Sequence, residues 1–173
     1  MADRPIIFSA AMVRALLAGR KTQTRRLATS PLRRVEVGDR LYVREHWRGR
    51  AAVDAYPPRR LTMDTGRIAF VADGKATDCP LGEWKWGKHR QGMHMPRWAS
   101  RLTLIVEGVK VEPLQALEGQ HPLESDAVAE GVRRIHHGDG DCFYSAFNDG
   151  PDPHNWCDPA DAFRELWDSL HTA

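Results

Sequence analysis

"FSAAMVRALLAGRKTQTRRL", Phe8–Leu27, joins a helical pattern directly to an extended one. Ser9 can cap a helix, and Met12, Val13, Leu16 and Leu17 fall on one face of it. Gly19 suits the left-handed residue that ends a helix. "KTQTRRL" then alternates and carries two β-branched threonines, so it reads as a strand leaving that helix. A helix handing over to a strand within so few residues points to an α+β chain.

The flanking sequence extends this pattern. "SPLRRVEVGDRLYVREHW" has turns at Pro31 and Gly38-Asp39, then a strand from about Arg40 to Trp47. "RIAFVADG" is a further strand ended by Gly74, and residues 75–100 read as irregular. "RLTLIVEGVKVEPL", Arg101–Leu114, is the clearest strand, with Gly108 marking a bulge or bend. "SDAVAEGV" is a short helix capped by Ser125, and residues 135–157 read as a long loop. In "DPADAFRELWDSLH", Asp158 caps a helix that starts at Pro159 and carries Phe163, Leu166, Trp167 and Leu170 on one stripe. Several strands with short helices between them predict α+β with a small mixed or barrel-like sheet.

At 173 residues and 42% apolar composition, the chain suits one folded domain rather than a disordered segment. No apolar run approaches the ~20 residues of a membrane span. The start, "MADRPIIFSA", has neither the basic nor the long apolar region of a secretory signal. Three widely spaced cysteines favour free thiols in a reducing cytoplasm. The net charge of +2 is unevenly spread: the first 112 residues carry +11 and the remainder −9. The basic part can attract a phosphate or a nucleic acid, or the two parts can neutralise each other in the fold.

Lys21 and Thr24 are the first candidates for chemistry. A threonine hydroxyl needs a base to remove its proton, and a lysine serves if burial or nearby cations lower its pKa. Strand alternation would put residues 21 and 24 on opposite faces, so their cooperation requires a bulge or transition after Gly19. An exposed basic strand accounts for the same residues. Glu130, among alanines and valines, is either exposed on a short helix or aimed into a pocket, where it would balance a lysine's proton or accept from a nucleobase amine. "YVREHW" adds Arg44 and Glu45, while Trp47 and Trp98 are candidates for base stacking or for the core. No His or Cys spacing matches a known metal site, so no metal is expected.

"PIIFSAAMVRALLAGRKTQTRRL", "VGDRLYVREHW", "MHMPRWASRLTLIVEGVKVEPLQAL" and "SDAVAEGV" together resemble the ASCH family, in particular its phage and prophage branch. The resemblance covers most of residues 5–134 and resumes at "FRELWDSL". It implies a single PUA-like domain, a small mixed β-barrel with flanking short helices, with insertions at about 48–100 and 135–157. Some small ASCH proteins are amidohydrolases that remove the acyl group from N4-acetylcytidine. Their Lys-x-x-Thr pair and downstream Glu match Lys21, Thr24 and Glu130. The resemblance therefore implies Lys21 as base, Thr24 as nucleophile and Glu130 as the group that orients the site. Arg26 matches the arginine that follows two places after the threonine. Arg44, Glu45, Trp47 and Trp98 complete a candidate substrate-binding set for a modified cytidine nucleoside or nucleotide, with no cofactor. Phage-type relatives continue past the last helix into a Trp-rich strand, whereas this chain stops at "HTA", which would leave a sheet edge exposed. Other family members bind RNA or are described as ribonucleases. An RNA-binding module, or a ribonuclease using His46 or Lys21, is thus the alternative.

Overall fold

Ser9 does cap the first helix: its Oγ accepts from the Met12 amide at 3.4 Å, and its carbonyl accepts from Val13. Helix α1 runs Ala10–Leu17, and Gly19 ends it at a φ of +68°. The computed structural model describes residues 1–65, 67–74, 82, 84–117, 125–138 and 140–171. Their contacts divide the chain into two compact units, one of residues 1–13 and 34–109, the other of residues 14–33 and 110–173.

The first unit holds two sheets. Strand β1, Asp3–Ile7, pairs in parallel with β2, Arg40–Arg44, so that Pro5 sits beside Tyr42. The strand breaks off after Arg44, and beyond Glu45 and His46 the backbone joins a different sheet. Strand β3, Trp47–Arg50, pairs antiparallel with β4, Ala69–Phe70, and with β5, Trp86–Arg90. Gly92 makes the break possible: a Cβ there would sit 3.1 Å from the Arg44 carbonyl oxygen and 3.2 Å from the Glu45 carbonyl carbon. Strand β6, Thr103–Ile105, closes the first sheet on the other side of β2. Trp47, Leu61, Met95 and Ala99 form a buried cluster under the second sheet, with Phe70 and Trp98 packed on it.

The second unit is built from helix α2, Asp126–Ala129, a hairpin of β7, Arg133–His136, and β8, Cys142–Ser145, and helix α3, Pro159–His171. Ser125 Oγ accepts from the Ala127 amide, and Asp158 Oδ1 from that of Ala160, so both expected caps form. Ala162, Phe163 and Leu166 are the buried stripe of α3, while Leu170 is exposed.

The chain is therefore α+β, but several expectations need correction. The described strands form three small open sheets and do not close into a barrel. "KTQTRRL" is not a strand, because its amides bond to helix ends instead of a ladder. The strand at Arg101 stops at Ile105; beyond it Val109 and Val111 are exposed. The second insertion carries the β7–β8 hairpin rather than a plain loop, and the first carries β3 to β5. Residues 75–81, with Cys79, lie outside the described residues. No described helix is long and apolar enough to cross a membrane.

Candidate functional site

Two helix ends meet in the second unit. After α1, the Ala15 carbonyl accepts from both the Arg20 and Lys21 amides, at 2.9 and 3.2 Å. The Thr22 and Gln23 amides both donate to the Ala129 carbonyl, at 2.8 and 3.0 Å. These bonds satisfy carbonyls that helix termini leave open. They also clasp residues 21–23 against the end of α2, where Glu130 is the C-cap and Gly131 turns the chain at a φ of +105°.

The clasp buries opposite charges together. Lys21 is 6% exposed and Glu130 3%. Lys21 Nζ donates to Glu130 Oε2 at 3.0 Å, to the Gln23 carbonyl at 2.8 Å and to the Glu130 carbonyl. The other Glu130 oxygen, Oε1, faces Arg25 Nη1 at 3.5 Å. Arg25 is a hub: its Nη2 donates to Glu112 at 2.6 Å and to Asp126 at 2.8 Å. Glu112 also pairs with Lys110, which holds its carboxyl below the usual range.

Burial pushes the Lys21 amine below its ordinary value of 10.5; the Glu130 carboxylate opposes this, and the charges of Arg26 and Arg25 add to the lowering.

Thr24 follows directly. Its Oγ1 is buried and has no hydrogen-bond partner among the described residues. Because the Gln23 carbonyl oxygen lies 2.8 Å from Nζ, covalent geometry holds the Thr24 Cα within about 6 Å of that amine. Strand alternation does not apply here, since the segment is not a strand. Arg26, by contrast, is exposed and donates to the Arg25 carbonyl.

The remaining sequence candidates belong to the first unit. Glu45, 1% exposed, receives Arg101 Nε at 2.9 Å and Nη2 at 3.0 Å, a two-pronged structural pair. Trp47 is 0% exposed within the core cluster, so it presents no face to a base. Trp98 is half-buried, with its indole N–H donating to the Leu61 carbonyl. Arg44 donates to the Met93 carbonyl and the Tyr42 hydroxyl. None of the four joins the Lys21 cluster as a hydrogen-bonded partner. Sequence reasoning missed Glu112 and Asp126. Asp126 had a local signal, an acid in the first turn after the Ser125 cap; Glu112 had none.

Among the described residues no three His, Cys, Asp or Glu side chains gather as metal ligands. Comparison of the chain with known protein families, curated proteins and solved structures returns no match.

Proposed function

We propose that the protein is an amidohydrolase that removes an acyl group from an N4-acylated cytosine nucleoside or nucleotide, using Lys21, Thr24 and Glu130. The observation that carries this reading is the buried Lys21–Glu130 pair, with the Thr24 Cα within about 6 Å of its amine and the Thr24 hydroxyl buried without a partner among the described residues. A buried hydroxyl left unbonded costs about 1–3 kcal/mol, so its retention favours a role in binding or reaction. The substrate class rests on the ASCH resemblance of "GRKTQTRR" and "AEG". Cys142 and Cys157, both free thiols, suit a cytoplasmic setting.

In this reading burial and the nearby arginines free the Lys21 amine of its proton, and Glu130 orients it. The amine takes the Thr24 proton as Oγ1 attacks the amide carbon. Collapse of the tetrahedral adduct breaks the bond to the cytosine N4, which leaves with the proton from the Lys21 ammonium. Water, deprotonated by the same amine, then attacks the acyl carbon; the bond to Oγ1 breaks, the Lys21 ammonium returns its proton to Oγ1, and the acyl group leaves as a carboxylic acid. A positioned base of this kind contributes about 10²–10⁴ in rate. The test is release of cytidine from N4-acetylcytidine, followed by chromatography. Turnover by the native chain and its loss in Thr24→Ala are expected. No turnover, or equal turnover in T24A, would overturn the reading.

A further inference from the structure

The second unit also carries a cleft of about 490 Å³ that the hydrolytic residues do not line. Arg14 reaches it from the last turn of α1, Arg20 from just past that helix, and Arg133 and Arg134 from β7. Among the described residues that line it, Asp149 is the only acid. It accepts from Arg133 Nη1 at 2.8 Å and faces Arg14 Nη2 at 3.2 Å. Arg20 and Arg134 have no carboxylate within ion-pair distance among the described residues. Arg14, Arg20 and Arg133 against the single carboxylate of Asp149 leave an excess of two positive charges among the described residues. Among the described residues Arg20 Nη1 is buried without a hydrogen-bond partner, and so is Arg14 Nε. Burial pushes the Arg20 guanidinium below its ordinary value; the charges of Arg133 and Arg14 push the same way, and the Asp149 carboxylate opposes them.

Three guanidiniums around one carboxylate, those of Arg14, Arg20 and Arg133, repel one another unless an anion sits among them. The guanidinium fork matches the oxygens of a phosphate, two N–H groups to two oxygens, better than it matches a spherical ion. A phosphate carries up to two negative charges, close to the unmatched excess. Val128 lines part of the cleft and gives an apolar surface beside the charged groups.

We propose that the cleft of Arg14, Arg20, Arg133 and Arg134 is a phosphate-binding site, with Asp149 as the internal counter-ion that an incoming phosphate joins. The phosphate is that of a mononucleotide or of a polynucleotide backbone. Because it is read by binding alone, the inference stands or falls apart from the hydrolytic reading.

Titration calorimetry of the full chain at low salt, with cytidine 5′-monophosphate, cytidine and a cytidine hexaribonucleotide, tests it. The monophosphate or the hexamer is expected to bind at least tenfold more tightly than cytidine and to weaken as salt rises. Tighter binding of the monophosphate assigns a mononucleotide; tighter binding of the hexamer assigns the backbone. Arg20→Gln and Arg133→Gln should each weaken that binding tenfold or more. If R20Q does not fold, R133Q, altered at a half-exposed side chain, decides the matter. Equal affinity for cytidine and both phosphate ligands, or binding unchanged in R133Q, would overturn the proposal.

Discussion

Among the described residues two glutamates are buried, and they sit in opposite chemical company. Glu45, in the first unit, meets the guanidinium of Arg101 through two hydrogen bonds. Glu130, in the second, meets the amine of Lys21. An arginine keeps its proton under any ordinary condition, so the Glu45 pair can only hold structure. A buried lysine can release its proton, so the Glu130 pair can also move one. The two sites are alike in burial and charge; the basic partner separates scaffold from candidate chemistry.

Exchanging the partners breaks the comparison most strongly. Lys21→Arg keeps a positive charge but removes the transferable proton. Cleavage of N4-acetylcytidine should fall by about 10²–10⁴, the contribution of a general base. The native rate should rise with pH through an apparent pKa below 10.5, because the lowered lysine pKa frees the amine earlier; K21R should lack that limb. Arg101→Lys, the converse change, should leave the rate unaltered and cost stability alone. Steady-state rates across pH decide between these outcomes. A K21R enzyme with full activity and the same limb would remove Lys21 from the chemistry.

The next largest effect is on stability. Removing one partner of a buried ion pair costs about 3–5 kcal/mol. Glu130→Ala strands Lys21, whose side chain is 3% exposed, with two carbonyls. Glu45→Ala leaves Arg101 its other partner, Asp73, at 2.8 Å. The first should therefore cost more than the second in urea unfolding near neutral pH. The pH dependence should differ as well. With Glu130 gone, the folded Lys21 pKa falls further below the unfolded value, so the unfolded chain binds the extra proton. Stability of E130A should then climb as pH rises toward 10.5, whereas E45A should show no such climb, since Arg101 does not titrate there. Matching slopes in the two variants would erase the distinction drawn between the pairs.

What could be read from the sequence was local. Ser9, Gly19, Ser125 and Asp158 mark helix ends through bonds to neighbours a few residues away, and all four do so in the structure. What could not be read was distant. "KTQTRRL" has a strand's alternation, yet its amides find the Ala129 carbonyl more than a hundred residues later. The β7–β8 hairpin lay hidden in a run of turn residues; Gly138 and Gly140 supply its turn at positive φ, and the strands on either side are four residues each. Lys21, Thr24 and Glu130 stood out by residue type and by resemblance. The grouping of Arg25 with Glu112 and Asp126 is a tertiary fact with no sequence period behind it.

The smallest expected effect tests how each glutamate is held. Glu45 sits at a break between two sheets, fixed by strands on both sides. Glu130 hangs from α2, a helix of four residues whose N-terminal amide is capped by Ser125 Oγ at 3.2 Å. A helix this short has little stability of its own and depends on its caps and packing. Ser125→Ala should cost about 1 kcal/mol, as cap removal ordinarily does. Because the end of α2 carries both Glu130 and the Ala129 carbonyl that clasps residues 22 and 23, the loosening should reach the Lys21 amine. Thermal unfolding and the pH–rate profile of S125A, measured together, separate the two consequences. A stability loss with an unshifted profile would mean that the Lys21–Glu130 pair holds its own geometry; a shifted profile would mean that one serine hydroxyl sets the proton balance of the site.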